Sequence, residues 1–191
     1  AGSWTHQNEW FGPVLGIIEA PDFATALNWQ NQTNFGLTAG LQSLDTGESE
    51  EWISQIEAGN IYINRGITGA IVNRQPFGGW KRSSVGPNSK AGGLNYVNSL
   101  RNWHRVTDVR AAKFGAEYWW ANVGTKAIDH SGLNVEKNFH RYCRHKKPIL
   151  VVIDDMTSKE EKEFVRFIAA LTKIDIVMTE DLSLLDGDYA K

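Results

Sequence analysis

The fold prediction for this chain starts from the stretch RGITGAIVNRQPFGGWKRSSVGPNSKAGG, residues 65–93. It holds seven of the chain's 18 glycines and a Pro-Phe-Gly-Gly turn. Glycine tolerates positive φ and lets a ligand or another backbone segment approach closely, so this density predicts a shaped loop. A long surface loop without a binding role is the alternative that composition alone leaves open.

The region before the loop alternates between strand and helix signals. An apolar run at 14–18 predicts a buried strand, and Asp22 is a good N-cap for the helix that follows it. A second strand is expected at 37–43, a helix at 48–58, and a strand at 60–65 that leads into the loop. This alternation of strands and helices is typical of α/β folds.

The region after the loop is less regular until a second strand–helix–strand pattern. Residues 94–100 are compatible with an extended segment, and 111–121 with a helix. Apolar runs at 149–153 and 174–178 flank an amphipathic helix, whose start is predicted by a capping box at 157–160 with Thr157 as the N-cap. Two strands joined by a helix are typical of parallel sheets.

The 191 residues are predicted to form three segments: 1–100, a basic connecting region at 101–147, and a βαβ segment at 148–191 that we expect to be incomplete. The connecting region carries ten basic and four acidic side chains, although the whole chain has a net charge of −2. A basic segment between two acidic ones suggests a docking role between them.

Composition excludes several classes of function. The small net charge gives no overall attraction to nucleic acid or membranes, and no apolar run approaches the roughly 20 residues that span a bilayer. The single cysteine, Cys143, excludes an internal disulfide and a multi-thiolate metal site. The five histidines have no ligand spacing beyond His140 and His145, which make a poor metal site without a carboxylate or thiolate partner. We therefore expect a cytoplasmic protein with no metal, no nucleic-acid partner and no membrane partner.

Two motifs carry a resemblance to a known family. The order T-G-A-x-V-x-R-Q-P-F-G-G-x-K-x-S-x-x-G in the loop resembles the substrate-anchoring segment of aldehyde dehydrogenases. Glu9-Trp10-Phe11-Gly12-Pro13 is similar to the E-x-F-G-P motif of the same family. Within the family, the likeness is to the branch that oxidises L-glutamate γ-semialdehyde (1-pyrroline-5-carboxylate), which includes the second half of bacterial PutA proteins.

The resemblance covers roughly Glu9 to Tyr96, with a weaker match to long PutA proteins at 134–152. It implies an α/β fold: the C-terminal half of a three-layer αβα aldehyde dehydrogenase catalytic domain, followed by a βαβ appendage.

The resemblance implies NAD as the cofactor. In the family, the glutamate of E-x-F-G-P accepts hydrogen bonds from the nicotinamide ribose and the phenylalanine packs beside the nicotinamide ring, which assigns these roles to Glu9 and Phe11. A diol suits a bidentate acceptor, and a flat ring suits an apolar wall. Leu37 matches a position that lines the nicotinamide pocket. The alternatives are a solvated carboxylate for Glu9 and core packing for Phe11 and Leu37.

The resemblance also implies the substrate contacts. Gly69 and Ala70 match the place where backbone N–H groups meet the α-carboxylate of L-glutamate γ-semialdehyde, and Phe77 matches the aromatic residue beside its aliphatic chain. Consecutive N–H groups in a glycine turn form an anion-binding nest. The branch often has serine at position 70, so Ala70 lacks one hydroxyl contact. Arg74 and Lys81 are expected to be solvated surface charges.

No catalytic residue is assigned in this chain. The family's chemistry needs a cysteine nucleophile, a glutamate base and a dinucleotide domain. The family's nucleophile lies well before E-x-F-G-P, whereas eight residues precede Glu9 and Cys143 lies far downstream. We expect a C-terminal piece of a larger homo-oligomeric enzyme of proline catabolism, inactive alone. The competing hypotheses are a non-catalytic assembly module of a PutA-type protein and a nucleic-acid-binding segment at 101–147.

Overall fold

The computed structural model describes residues 1–71, 74–84, 90–104 and 108–187 of the chain. The chain divides into two units, Ala1–Arg101 and Asn102–Lys191. Residues 72–73 and 85–89 of the glycine-rich loop lie outside the described residues. The structure therefore covers the predicted loop at 65–71, 74–84 and 90–93. The division of the sequence into three segments stays a prediction.

The first unit contains two parallel strands joined by a helix. Its elements in chain order are α1 (Trp4–Gln7), α2 (Phe23–Asn31), β1 (Phe35–Gly36), β2 (Thr38–Leu41), α3 (Thr46–Gln55), β3 (Asn60–Ile63), β4 (Trp80–Lys81) and a 3₁₀ turn at Val97–Leu100. Strands β2 and β3 are parallel, and β1 pairs antiparallel with β4. The second and third predicted strands are therefore confirmed, whereas 94–100 contains a 3₁₀ turn instead of an extended segment.

The core of the first unit lies between its helices and the parallel pair. Leu27 of α2, Ala39 of β2 and Trp52 of α3 are buried together with Ile56 and Ala58. Trp52 is only 2% exposed, and its indole N–H donates to Gln30 at 2.9 Å. A buried indole keeps its hydrogen bond in this way, so the largest core side chain adds apolar contact without an unpaired donor.

The helix starts of the first unit follow local capping chemistry. The Asp22 carboxylate accepts from the Thr25 N–H at 2.7 Å, which confirms the predicted N-cap. Helix α3 begins earlier than predicted because the Asp45 carboxylate accepts from two backbone N–H groups of its first turn. It also ends earlier, at Gln55, because Ile56 adopts an extended conformation and enters the core.

The predicted strand at 14–18 is wrong. These residues form no strand, and Leu15 and Ile17 are 84% and 86% exposed. Their apolar character suggested burial, but no element in the described part of the chain covers them. A strand needs a neighbour to pair with its backbone, and this segment has none among the described residues.

The second unit contains the predicted βαβ motif. Its elements are α4 (Val109–Trp119), a π-helical turn at Trp120–Gly124, β5 (Ile128–Asp129), β6 (Phe139–His140), β7 (Ile149–Val152), α5 (Lys159–Thr172), β8 (Ile176–Thr179) and a 3₁₀ turn at Leu182–Asp186. Strands β7 and β8 pair in parallel, with Ile149 opposite Ile176. None of the helices in the described part of the chain is long and apolar enough to cross a membrane.

The capping box of α5 lies one residue later than predicted. Ser158 is the N-cap, and its hydroxyl accepts from the Glu161 N–H while the Glu161 carboxylate accepts from the Ser158 N–H at 2.8 Å. Thr157 instead donates its hydroxyl to Asp154 at 2.8 Å. Both hydroxyl residues can cap a helix, and the turn before α5 decides which one does.

Candidate functional site

Strand β3 leads directly into the first half of the glycine-rich loop. The Tyr62 hydroxyl at the end of this strand donates to the Gly69 carbonyl at 3.4 Å, and the Arg65 guanidinium lies 5.4 Å from the centre of the Tyr62 ring. Burial raises the pKa of Tyr62, and the charge of Arg65 partly opposes this shift. Tyr62 is therefore a neutral donor at neutral pH that connects the parallel sheet to the predicted nest.

Gly69 has the positive φ that is typical of an anion-binding nest. Its φ is +80°, and apart from its chain neighbours no heavy atom of the described residues lies within 4 Å of the position that a Cβ would occupy. The N–H groups of Gly69 and Ala70 donate to no acceptor in the part of the chain that the structure describes. Two consecutive N–H groups beside a residue with a positive φ can both donate to an anion such as a carboxylate.

Phe77, the predicted aromatic contact, lies in the second half of the loop and is half-buried. Its N–H donates to the Ala91 carbonyl at 3.0 Å, and its own carbonyl accepts from the Ala91 N–H at 2.9 Å. These two bonds form an isolated antiparallel bridge. The backbone of Phe77 is therefore held in place although the residue belongs to no regular strand.

Asn60 and Lys90, neither of which was predicted from the sequence, join the start of β3 to the Pro-Phe-Gly-Gly turn. The Asn60 side chain donates to the Pro76 carbonyl at 3.0 Å and accepts from the Gly78 N–H at 3.1 Å. The Lys90 ammonium donates to the Gly59 carbonyl at 2.5 Å and to the Gly78 carbonyl at 2.8 Å. A polar residue in the first, buried position of a strand was the available signal for Asn60.

Gly59 allows the strand and the turn to approach closely. A side-chain carbon at this position would lie 2.0 Å from the Gly78 carbonyl oxygen and 2.7 Å from the Gly79 Cα. The Gly59 N–H also donates to the Gly36 carbonyl at 2.9 Å. Any side chain at residue 59 would therefore force the backbone segments apart.

The residues predicted to contact the cofactor are exposed but are not all brought together. Glu9 and Phe11 lie in the irregular segment between α1 and α2, where Phe11 is 98% exposed. Leu37 lies between β1 and β2, is 40% exposed, and accepts from the Asn60 N–H through its carbonyl at 3.0 Å. Among the described residues, no hydrogen bond, ion pair or ring contact joins Glu9 or Phe11 to Leu37. The carboxylate of Glu9 is a suitable acceptor for ribose hydroxyls, and the exposed side chains of Phe11 and Leu37 are suitable apolar contacts for a nicotinamide ring. The roles of these residues stay a prediction.

The family follows from comparison with known proteins. The sequence pattern described as "Aldehyde dehydrogenase family" matches residues 2–105, which is more than half of the chain. The chain belongs to the aldehyde dehydrogenase family. Its first unit is accordingly an α/β part of an aldehyde dehydrogenase fold, as the two motifs predicted.

Similar members of the aldehyde dehydrogenase family share one name. The chain is 46% identical over 91 residues to proteins named 1-pyrroline-5-carboxylate dehydrogenase from Geobacillus sp. (strain WCH70) and Bacillus subtilis (strain 168). Each match covers 48% of this chain and 17% of the relative. The chain therefore spans about a sixth of the length of these curated relatives.

One solved structure is similar over both units. Proline Utilization A (PutA) from Corynebacterium freiburgense is 43% identical, with a TM-score of 0.85. The match covers 95% of this chain and 20% of the PutA chain. The likeness to PutA thus extends beyond residue 105, where the aldehyde dehydrogenase pattern ends.

Lys81 is a structural residue of this aldehyde dehydrogenase unit, and the expectation that it is a solvated charge is wrong. Although the residue lies at the surface, its side chain is only 24% exposed. Its ammonium donates to the carbonyls of Asn31 and Thr33 at 2.6 and 2.9 Å and pairs with Glu57 at 2.8 Å. A cation bonded to the carbonyl of Asn31, the last residue of α2, stabilises the negative end of that helix.

Asp154, which follows β7, has a structural role. The Asp154 carboxylate accepts from the Thr157 hydroxyl and from the Met156 N–H, and the Thr157 bond is the main cause that lowers the pKa of Asp154. Within the described ranges, no three His, Cys, Asp or Glu side chains are grouped so that they could hold a metal ion. The carboxylate therefore organises the turn before α5.

Proposed function

We propose that this chain contributes the substrate-anchoring part of an NAD-dependent L-glutamate γ-semialdehyde (1-pyrroline-5-carboxylate) dehydrogenase. The whole enzyme would oxidise the aldehyde to glutamate in proline catabolism. The observation that carries the proposal is the pair of N–H groups at Gly69 and Ala70, which donate to no acceptor among the described residues. The names of the relatives and of the structural neighbour support the choice of substrate.

The α-carboxylate of the substrate would accept hydrogen bonds from the two N–H groups of the nest. The hydrogen bond from Tyr62 to the Gly69 carbonyl would hold the turn while both N–H groups stay available. Phe77 would flank the aliphatic chain of the substrate, since its backbone is held by Ala91 and its ring is half-buried. This arrangement recognises an acidic aldehyde by the end opposite to its reacting carbon.

Glu9, Phe11 and Leu37 would contact the nicotinamide end of NAD, which supplies the hydride acceptor when it is bound. The thiolate nucleophile is not assigned to Cys143, because this cysteine is exposed and belongs to the second unit. The likeness to PutA over 95% of the chain favours a PutA-type protein as the whole enzyme.

The proposal is tested with the complete protein that contains this chain. NADH formation is measured with glutamate γ-semialdehyde and with propionaldehyde, which has no carboxylate. We expect kcat/KM to be at least about a hundredfold higher for glutamate semialdehyde, since two charge-assisted hydrogen bonds contribute roughly 1.5–3 kcal/mol each. Equal values for the two aldehydes would contradict the proposed function.

A further inference from the structure

The Asn60 side chain bonds to the peptide groups on both sides of Phe77, and Lys90 bonds to the peptide group that follows them. The amide of Asn60 bonds to the Pro76 carbonyl before Phe77 and to the Gly78 N–H after it. The ammonium of Lys90 bonds to the Gly78 carbonyl at 2.8 Å. Together with the bridge to Ala91, five consecutive backbone polar groups from the Pro76 carbonyl to the Gly78 carbonyl are therefore bonded.

Asn60 and Lys90 also bond to each other. The Lys90 ammonium donates to the Asn60 side-chain oxygen at 3.1 Å and to the Gly59 carbonyl at 2.5 Å. Asn60 is only 8% exposed. A lysine has three N–H donors, and protein acceptors engage all three of them here. Lys90 therefore acts on the loop backbone and has no donor left for a direct contact with a ligand.

The contacts connect the turn to the rigid part of the first unit. Asn60 is the first residue of β3, and its backbone N–H donates to the Leu37 carbonyl beside β2. The turn that carries Phe77 is thereby attached to the parallel pair of strands. A binding side chain on a loop needs such support, because displacement by about 1 Å at a substrate contact can lower the rate by about a hundredfold.

We propose that Asn60 and Lys90 are positioning residues that fix Phe77 against the aliphatic chain of the acidic aldehyde. This inference rests on the proposed function. The two residues touch neither the substrate nor NAD, and they act through the backbone of the Pro-Phe-Gly-Gly turn. Their removal should therefore change the recognition of a long acidic aldehyde more than that of a short one.

The test uses the complete enzyme with Lys90→Met, which keeps a long side chain and removes all three donors. We expect kcat/KM for glutamate semialdehyde to fall by about tenfold, mainly through a higher KM, and kcat/KM for propionaldehyde to fall by less than about threefold. The KM for NAD should not change. A second variant, Asn60→Asp, keeps the acceptor for Lys90 and loses the donor to Pro76. It should lower the ratio of kcat/KM for glutamate semialdehyde to kcat/KM for propionaldehyde, as Lys90→Met does.

Lys81→Met is the matched control. Lys81 is also a lysine of the first unit with three bonded acceptors, but these are groups of Asn31, Thr33 and Glu57, none of which belongs to the Pro-Phe-Gly-Gly turn. This variant should lose stability and keep the wild-type ratio of kcat/KM for the two aldehydes. Thermal unfolding of all three variants separates a loss of folded protein from a loss of positioning.

Each outcome decides a different point. A wild-type enzyme without a preference for glutamate semialdehyde overturns the proposed function and this inference with it. A wild-type enzyme that has the preference, together with Lys90→Met and Asn60→Asp variants that keep the ratio, overturns the inference alone. Failure of both variants to fold would also contradict it, because the contacts would then be needed for folding as a whole.

Discussion

The ammonium nitrogen of Lys81 lies 2.8 Å from a carboxylate oxygen of Glu57. The same nitrogen bonds to the carbonyl of Asn31, the last residue of α2, and to the carbonyl of Thr33, two residues later. Asn31 in turn accepts from the Glu57 N–H through its side chain at 2.9 Å. Lys81, in β4, thus connects this strand to the end of α2 and to Glu57 after α3. These three parts of the first unit are distant in sequence.

Replacement of Lys81 by methionine should destabilise the first unit. The variant leaves two carbonyls and a carboxylate without their charged donor, so we expect a loss of about 1–2 kcal/mol in the free energy of unfolding. Chemical denaturation of the 191-residue chain measures this loss. The control is Lys159→Met, because Lys159 pairs with Glu163 at 3.9 Å with its side chain 84% exposed. A loss of equal size in both variants would contradict the structural role of Lys81.

The stability of the second unit should depend on the ionisation of Asp129. Its carboxylate accepts from the Ser131 hydroxyl at 2.6 Å and from the backbone N–H groups of Ser131, Gly132 and Asn138. The Ser131 hydroxyl is the main cause that lowers the pKa of Asp129 from 3.8 to about 2. Because the folded pKa is the lower one, the ionised carboxylate stabilises the fold above about pH 4, and this contribution is lost as the pH falls towards 2.

Unfolding midpoints measured from about pH 5 to pH 2 test this dependence. The wild-type chain should lose stability through the window, and Asp129→Asn should be less stable at pH 5 and change less as the pH falls. Ser131→Ala should weaken the pH dependence in the same direction, since it removes the strongest donor. Parallel curves for the wild type and Asp129→Asn would contradict the assignment.

The elements that could be predicted from the sequence are those with local signals. The Asp22 N-cap and the order of β7, α5 and β8 depend on spacings of a few residues, and both are confirmed. The capping box was placed one residue too early because Thr157 and Ser158 are chemically similar caps. The choice between them depends on the Asp154 turn, which no single residue reveals.

The features that could not be predicted depend on partners far away in the chain. Lys81 looked like a surface charge because the carbonyls that it caps are 48 and 50 positions earlier. Lys90 has no periodic pattern around it, and its contact with Gly59 spans 31 positions. The strand at 14–18 was predicted from apolarity alone, which indicates a need for burial but does not supply the covering surface.

The 191-residue chain alone should have no aldehyde dehydrogenase activity. The nucleophile, the base and the dinucleotide domain of the family are not assigned to this chain, and Cys143 is exposed in the second unit. NADH formation from glutamate semialdehyde by the purified chain is the measurement. Activity that Cys143→Ala abolishes would contradict the proposal that the catalytic nucleophile is not Cys143 and lies in another part of the enzyme.

The isolated chain should also self-associate. Phe11, Leu15 and Ile17 lie in one irregular segment with exposed fractions of 98%, 84% and 86%. Large apolar side chains that are exposed in this way favour association in water. Light scattering should detect dimers or larger species, and the double variant Leu15→Asp, Ile17→Asp should shift them towards monomer. A clean monomer of the wild-type chain at high concentration would contradict this expectation.

The central claim is that the Gly69–Ala70 turn anchors the substrate's carboxylate, and Gly69→Val in the complete enzyme tests it most directly. The φ of +80° is strained for valine, so the N–H groups should lose their alignment. Gly66→Ala is the control, because residue 66 has open space around it and no positive φ. We predict that Gly69→Val lowers kcat/KM for glutamate semialdehyde by about ten- to a hundredfold, with far less change for propionaldehyde and for the KM of NAD. An equal loss with both aldehydes would contradict the account.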